Sequence, residues 1–343
     1  MSLLKSVYFW LILTFLAVVY ASQHYTIGGW EHLRIVSKQT DAPKPTSDGG
    51  TVPKFDNRSW APARWVSAPS VVGDIAPPKP KIPSIRIATL NLQGFGENKA
   101  SKMAVLEILA RVLRSFDVIA LQDVQPDQGD VLPRLVDRIN QSDRAYDYCI
   151  GPRVGKGLNS MHFAFVFDSE RVDIDRYQLY TVDDPMDQLE YEPLVGWFRT
   201  KNVHEEEAFT FSLVNVRISP PYADREIALL PELIRTIVRD GRDEDDVLVA
   251  GDFACGNERM ENLRRIGMRF ALEGVTTTVA SDEMLDNILF PAKATDEYLG
   301  RSGTIDFLRQ LNLTPEQAFQ VSNHMPVWAE FSAVEGGVPG YAP

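Results

Sequence analysis

Ile85-Arg-Ile-Ala-Thr-Leu-Asn91-Leu-Gln-Gly-Phe-Gly-Glu-Asn-Lys99 sets the reading of the whole chain. Ile85 to Leu90 reads as a short strand and Asn91 stands at its end. Beyond it, Lys99 to Phe116 predicts a helix with Leu106, Leu109, Leu113 and Phe116 on one face, and Val118-Ile-Ala-Leu121 predicts a buried strand. Strands follow at His162 to Phe167 and Phe209 to Val216. Ala223 to Val238 reads as a helix with an early Pro231, and Val247-Leu-Val-Ala250 as another buried strand. Helices sparse among many strands imply two packed sheets with helices outside. Polar residues stand just past several strand ends, and loops at one end of such a sandwich are where convergent catalytic groups are mounted.

Composition sets the bounds. The 343 residues are 44% hydrophobic, and the part remaining after the N-terminal segments is large enough for one α/β domain with a sizeable core. A formal net charge of -12 means that no global positive field draws in a nucleic acid, so any phosphate contact must be local. Carboxylates holding a divalent metal would supply that local charge. Cys149 and Cys255 form no CxxC or Cys/His cluster, which excludes a thiolate zinc site; they are either buried small hydrophobes or a disulfide pair.

Lys5 precedes the uncharged run Ser6 to Ala21, so residues 1–21 read as a signal peptide or an N-terminal membrane anchor, and either places the domain outside the cytoplasm. Residues 22–83 read as a Pro-rich linker or stalk: Asp41 to Pro83 carries nine of the 22 prolines, and Trp60 and Trp65 are candidates to dock on the domain. Residues 84–334 form the expected domain and 335–343 a flexible tail. The acidic run Asp243 to Asp246 is expected to be a solvated turn before a strand.

Five fragments in order carry a resemblance. The Asn91 stretch resembles the opening strand of deoxyribonuclease I, including Phe-Gly-Glu-x-Lys. Leu121-Gln-Asp-Val124 is similar to the family's Gln-Glu-Val, Gly251-Asp-Phe253 to Gly-Asp-Phe-Asn, Leu285-Asp-Asn-Ile288 to Tyr-Asp-Arg-Ile, and Ser322-Asn-His-Met-Pro-Val327 to Ser-Asp-His-x-Pro-Val. The chain thus resembles the endonuclease/exonuclease/phosphatase superfamily, on its deoxyribonuclease I-like branch. The resemblance implies a four-layer α/β sandwich of two mixed sheets, and a metal-dependent phosphodiesterase acting on nucleic acid or another phosphodiester.

Phosphodiester hydrolysis needs a cation to neutralise the anion, an activated water and a donor for the departing oxygen. By resemblance, Asn91 and Asp123 would hold Mg²⁺, Mn²⁺ or Ca²⁺, Asp252 would orient water or share the metal, and His324 with Asp286 would form the catalytic dyad. Thr277, in the run Thr276 to Thr278, is either a phosphate contact or plain strand, and Arg217 is expected to hold a phosphate or leaving-group oxyanion. Four family positions differ: Arg217 replaces the other histidine, Met161 its carboxylate partner, Ala254 the asparagine after Gly-Asp-Phe, and Asn323 the aspartate before His324. Asp123 is one methylene shorter than the family's glutamate, and Tyr191-Glu-Pro193 lacks its arginine. Ile305-Asp306-Phe307 is rejected as the dyad carboxylate. Arginine cannot act as a general acid at neutral pH, and losing that group costs roughly 10²- to 10⁴-fold in rate. Two readings stay open: an impaired hydrolase, or a catalytically silent binding module. Protein partners are not legible.

Overall fold

Strand alternation decides which sheet face each side chain joins. The computed structural model describes residues 34–36, 83–125 and 130–337. Its strands are β1 (Arg34–Val36), β2 (Ser84–Phe95), β3 (Val118–Val124), β4 (Tyr146–Val154), β5 (Met161–Asp168), β6 (Val172–Ile174) and β7 (Tyr180–Asp183). They continue as β8 (Leu194–Thr200), β9 (Thr210–Arg217), β10 (Val247–Asp252), β11 (Met268–Phe270), β12 (Asp286–Pro291), β13 (Tyr298–Thr304) and β14 (Val327–Ser332). One sheet has the order β13-β14-β2-β3-β5-β4. The other, of eight strands, runs β1-β7-β8-β9-β10-β12-β11 with β6 paired to β8. β2 with β3, and β9 with β10, are parallel pairs, whereas the other named pairings are antiparallel, so both sheets are mixed.

Ile85, Ile87, Ala120, Phe163 and Phe165 point from the six-stranded sheet into the same core as Phe211, Leu213, Ala250 and Ile288 from the other. Phe165 meets Phe198 edge-on at 5.3 Å and Phe198 stacks on Phe211 at 5.4 Å across this layer. The alternate residues face outward: Ala88, Leu90, Ile119 and Val166 pack against the helices Met103–Leu113, Val131–Ile139 and Pro315–Val321. Val214, Val216, Val247 and Val249 pack against Ala223–Val238 and Glu261–Arg265. Period-two burial on both faces yields the expected four-layer sandwich.

Several local expectations change. The helix expected over Lys99 to Phe116 is two helices, Glu97–Ala100 and Met103–Leu113, because Lys102 adopts an extended conformation between them. Lys99 is diverted from that face: its ammonium donates to the carbonyls of Leu92 and Val321. The acidic run is not a solvated turn, since Glu244 and Asp246 are buried, with the Trp197 indole donating to Glu244 at 2.9 Å. Inside the stretch expected as a linker, Arg34–Val36 pairs with Thr181–Asp183. Glu335 and Gly336, assigned to the tail, bond back to Glu207 and Glu297. The expected signal or anchor, Trp60, Trp65 and residues 338–343 lie outside the described residues. Among the described residues no helix is long and apolar enough to cross a membrane. Cys149 and Cys255 are both buried and free, in different core layers, so the disulfide alternative is not realised.

Candidate active site

Two irregularities in the six-stranded sheet build one side of the site. The β2–β3 ladder breaks between Asn91 and Phe95, and the β3–β5 ladder between Leu121 and Val124. Such breaks re-aim side chains that strict alternation would send elsewhere. Asp123 takes a left-handed φ of 58°, which aspartate tolerates better than most residues. Gln122 turns between the sheets: its Nε2 donates to Thr89 Oγ1 at 2.8 Å and to Asn215 Oδ1 at 2.7 Å. Asn215 Nδ2 in turn donates to the carbonyls of Leu121 and Ala164 at 3.0 and 3.1 Å. A buried polar bridge therefore ties the sheets together below the site; its bonds offset part of the cost of burying two amides, and Gln122 Oε1 has no partner among the described residues.

The other side comes from three adjacent strand ends. Asp252 closes β10, with Arg217 beside it on β9 and Asp286 beside it on β12. Gly251 makes this approach possible, since a Cβ there would sit 1.9 Å from the Val216 carbonyl oxygen. His324 enters from the loop before β14. That loop is held when Ser322 Oγ donates to the Asn91 carbonyl at 2.7 Å and accepts from the His324 amide at 2.9 Å.

His324 Nδ1 lies 2.8 Å from Asp286 Oδ2, and its Nε2 lies 4.0 Å from Asp252 Oδ2. Asp252 Oδ2 also accepts from Asn91 Nδ2 at 2.8 Å, while its Oδ1 accepts from the Ala254 amide at 2.9 Å. Burial pulls His324 down, but the Asp286 charge and hydrogen bond, helped by Asp252, overcome it and raise the imidazole to about 9. Burial likewise pushes Asp286 upward, with His324 offsetting only part of the effect. A carboxylate on Nδ1 fixes the tautomer and leaves Nε2 facing Asp252.

Arg217 organises a second cluster. Its Nη1 lies 3.3 Å from Asp123 Oδ2 and 3.3 Å from Met161 Sδ, and its Cζ stands 5.0 Å from the centre of the Tyr191 ring. Asp123 Oδ1 accepts from Gln125 Nε2 at 3.0 Å. The guanidinium thus carries fixed positive charge beside the expected metal carboxylate, held flat by an aromatic face. Lys99 adds a buried cation, lowered to about 8 chiefly by burial although Asp123 raises it.

Asn91, Asp252, Asp286 and His324 are thus linked by direct contacts, and Asp123, Arg217 and Met161 by another set. Thr277, expected as a phosphate contact, is 0% exposed: its hydroxyl donates to Asp286 Oδ2 at 2.9 Å and accepts from the Leu285 and Asp286 amides, so it supports the dyad. Ala254 holds a left-handed φ of 53°. The Asn323 amide donates to Gln93 Oε1, and its own side-chain oxygen is buried without a partner among the described residues. Asp306 caps the helix Phe307–Gln310, away from the dyad. Tyr191, Gln122 and Asn215 were not singled out as site residues. A polar residue inside the apolar run Leu213 to Val216 was the available signal for Asn215.

Asp252, Asp286 and His324 bring ligand atoms within 4.8 Å of one another. His324 Nδ1 is engaged by Asp286, which leaves Asp252 as the carboxylate of this group open to a cation; Asp123 stands in the Arg217 cluster, and Asn91 Oδ1 already accepts from the Gln93 amide at 2.9 Å. Oxygen donors of this kind suit a hard divalent cation of the Mg²⁺ or Ca²⁺ kind, with Arg217 as a competing charge at Asp123.

Residues 88–253 match the model of the Endonuclease/Exonuclease/phosphatase family. The chain is 27% identical to Deoxyribonuclease-1-like 1 of Sus scrofa over 262 residues, covering 73% of this chain and 81% of the relative. It is 24% identical to Deoxyribonuclease gamma of Homo sapiens, covering 71% and 85% respectively. A solved structure of a functionally unknown conserved protein from Enterococcus faecalis V583 shares the fold at a TM-score of 0.51 and 14% identity, covering 73% of this chain and 100% of the other. Residues 88–253 thus match the endonuclease/exonuclease/phosphatase family, and the curated relatives that the chain resembles lie on its deoxyribonuclease I-like branch. The family match contains Asn91, Asp123, Met161, Arg217 and Asp252 but ends before Asp286 and His324. The His324–Asp286 dyad therefore stands on its own geometry.

Proposed function

We propose that this chain is a phosphodiester hydrolase of the nuclease kind that keeps the base half of its site and has a fixed cation in place of the acid half. The observation that supports it most is the Thr277–Asp286–His324 relay ending 4.0 Å from Asp252. Once deprotonated at Nε2, His324 takes the proton from a water that Asp252 orients, and Asp286 stabilises the imidazolium formed. Arg217 holds a phosphate oxygen or the departing oxyanion but donates no proton to it. Good leaving groups are therefore favoured, and poor ones slow the reaction by roughly 10²- to 10⁴-fold. A Mg²⁺, Mn²⁺ or Ca²⁺ ion held by Asn91, Asp123 and Asp252 would add charge neutralisation at the phosphate. The substrate is nucleic acid or another phosphodiester, and the apolar run Ser6 to Ala21 supports an extracytoplasmic, secreted or membrane-anchored protein.

A second reading, a catalytically silent binding module, has its own support: Asp123 is already neutralised by Arg217. The deciding experiment is hydrolysis of plasmid DNA and of bis-p-nitrophenyl phosphate with Mg²⁺ or Mn²⁺, beside Asp252→Ala and His324→Ala. Turnover of the p-nitrophenyl ester in excess of DNA, lost in both variants, is expected. Equal rates in wild type and both variants would sink the hydrolase and leave the binding module.

A further inference from the structure

A second group of carboxylates lies at the opposite end of β10. Asp246 immediately precedes that strand, and Asp252 ends it, about 20 Å away along an extended chain. Asp246 is 2% exposed and Glu297, just before β13, is 1% exposed. With Glu335, which follows β14, each offers an oxygen within 4.8 Å of the others.

Among the described residues, Asp246 Oδ1 and Glu297 Oε2 are shut off from solvent and have no hydrogen-bond partner. Neither they nor Glu335 and Glu244 meet any described lysine or arginine in an ion pair. The neighbouring oxygens are already engaged: the Gly336 amide donates to Glu297 Oε1, the Thr210 amide to Glu335 Oε2, and the Trp197 indole and Asp246 amide to Glu244. Two buried carboxylates with oxygens within 4.8 Å and no counter-charge are costly as anions. Burial first pushes Asp246 up to about 8, with the Thr295 hydroxyl pulling it back and the Glu297 and Glu244 charges adding to the rise; burial likewise pushes Glu297 to about 7, helped by the Glu335 and Asp296 charges.

We propose that Asp246, Glu297 and Glu335 bind a hard divalent cation of the Ca²⁺ class at the pole of the sandwich remote from His324. The ligand atoms are all oxygens, which selects against zinc and copper, and the exposed Glu335 leaves room for the waters that Ca²⁺ retains. The cation clamps the segment after β14 to the starts of β10 and β13, so its effect falls on stability and on the order of residues 333–337.

The full chain, stripped of metal, is titrated with Tb³⁺ while tryptophan is excited, since the Trp197 indole sits one carboxylate away from the site. Melting is followed with and without Ca²⁺. Wild type and Asp252→Asn should both show saturable luminescence displaced by Ca²⁺ and a rise in Tm. Glu297→Gln, a neutral isostere that relieves the buried charge, should fold yet bind at least tenfold more weakly, and the exposed Glu335→Gln should move the same way. A Ca²⁺ response that persists in Glu297→Gln and disappears in Asp252→Asn overturns the proposal, as does a wild type with no Ca²⁺ response, which would mean that a shared proton neutralises the pair.

Discussion

Asp286→Asn tests the dyad without relying on turnover. The wild-type imidazole is raised from the ordinary 6.5 to about 9, which leaves about one His324 in a hundred neutral at pH 7. Replacing the carboxylate with an amide removes the dominant raising influence, while burial, which pulls the other way, stays. His324 should then titrate at or below 6.5, and most molecules would be neutral at pH 7. Taken alone, a rise of this size corresponds to about 3 kcal/mol of folding stability, part of which the burial of Asp286 offsets. Because the folded-state value lies above the ordinary one, that contribution is whole below about pH 6.5 and drains away as pH rises through about 9. Ring resonances of the five histidines, with His324 assigned by a His324→Gln spectrum, report the titration directly. Hydrolysis of bis-p-nitrophenyl phosphate should rise about tenfold per pH unit up to about 9 in wild type, and should lose that slope in Asp286→Asn. A wild-type His324 titrating near 6.5, or an unchanged midpoint in the variant, would refute the dyad argument.

Two further predictions concern the exchanged positions. Arg217→His with Met161→Glu places an imidazole beside a carboxylate where a guanidinium and thioether now touch, and should raise DNA hydrolysis by roughly 10²-fold or more while changing the p-nitrophenyl ester much less. Equal gains on both substrates, or none, would show that the missing acid does not limit the reaction. Ala254→Asn should raise stability by about 0.5–1 kcal/mol, because asparagine accepts the left-handed backbone that alanine holds at φ 53°. Chemical denaturation checks this, and a loss of stability would mean that the amide has no room beside Asp252.

The sheets and the dyad were legible for different reasons. Apolar runs such as Val118 to Leu121 and Val247 to Ala250 are buried on both faces, and that local pattern marks a strand whatever its neighbours. Asp252, Asp286 and His324 were found through short fragments whose order and spacing resemble a family, since nothing local to Leu285-Asp-Asn-Ile288 says that a histidine 38 residues on will meet it. Where burial arises from distant partners, the sequence misled. Asp243 to Asp246 looks solvated until Trp197 and Glu297 close over it, and Thr277 looks available until Asp286 is placed beneath its hydroxyl. The break after Ala100 comes where Lys102 turns extended, beside a Lys99 that reaches two carbonyls, one of them 222 residues away. Arg34–Val36 became a strand because β7 offers an open edge, information carried by residues 181–183 and not by its own.

The amide bridge from Gln122 to Asn215 implies a mechanical dependence. Asn91, Asp123 and His324 ride on or beside the six-stranded sheet, whereas Asp252, Asp286 and Arg217 ride on the other. Every contact that joins the halves, from His324 with Asp286 to Arg217 with Asp123, is therefore also a gauge of how one sheet sits on its mate. Sliding them by a single ångström would carry the 2.8 Å contact of His324 out of hydrogen-bond range. The aromatic layer around Phe198 then does more than fill space: it packs one sheet on the other and, together with the backbone bridge between Thr278 and His324, keeps the His324–Asp286 pair aligned.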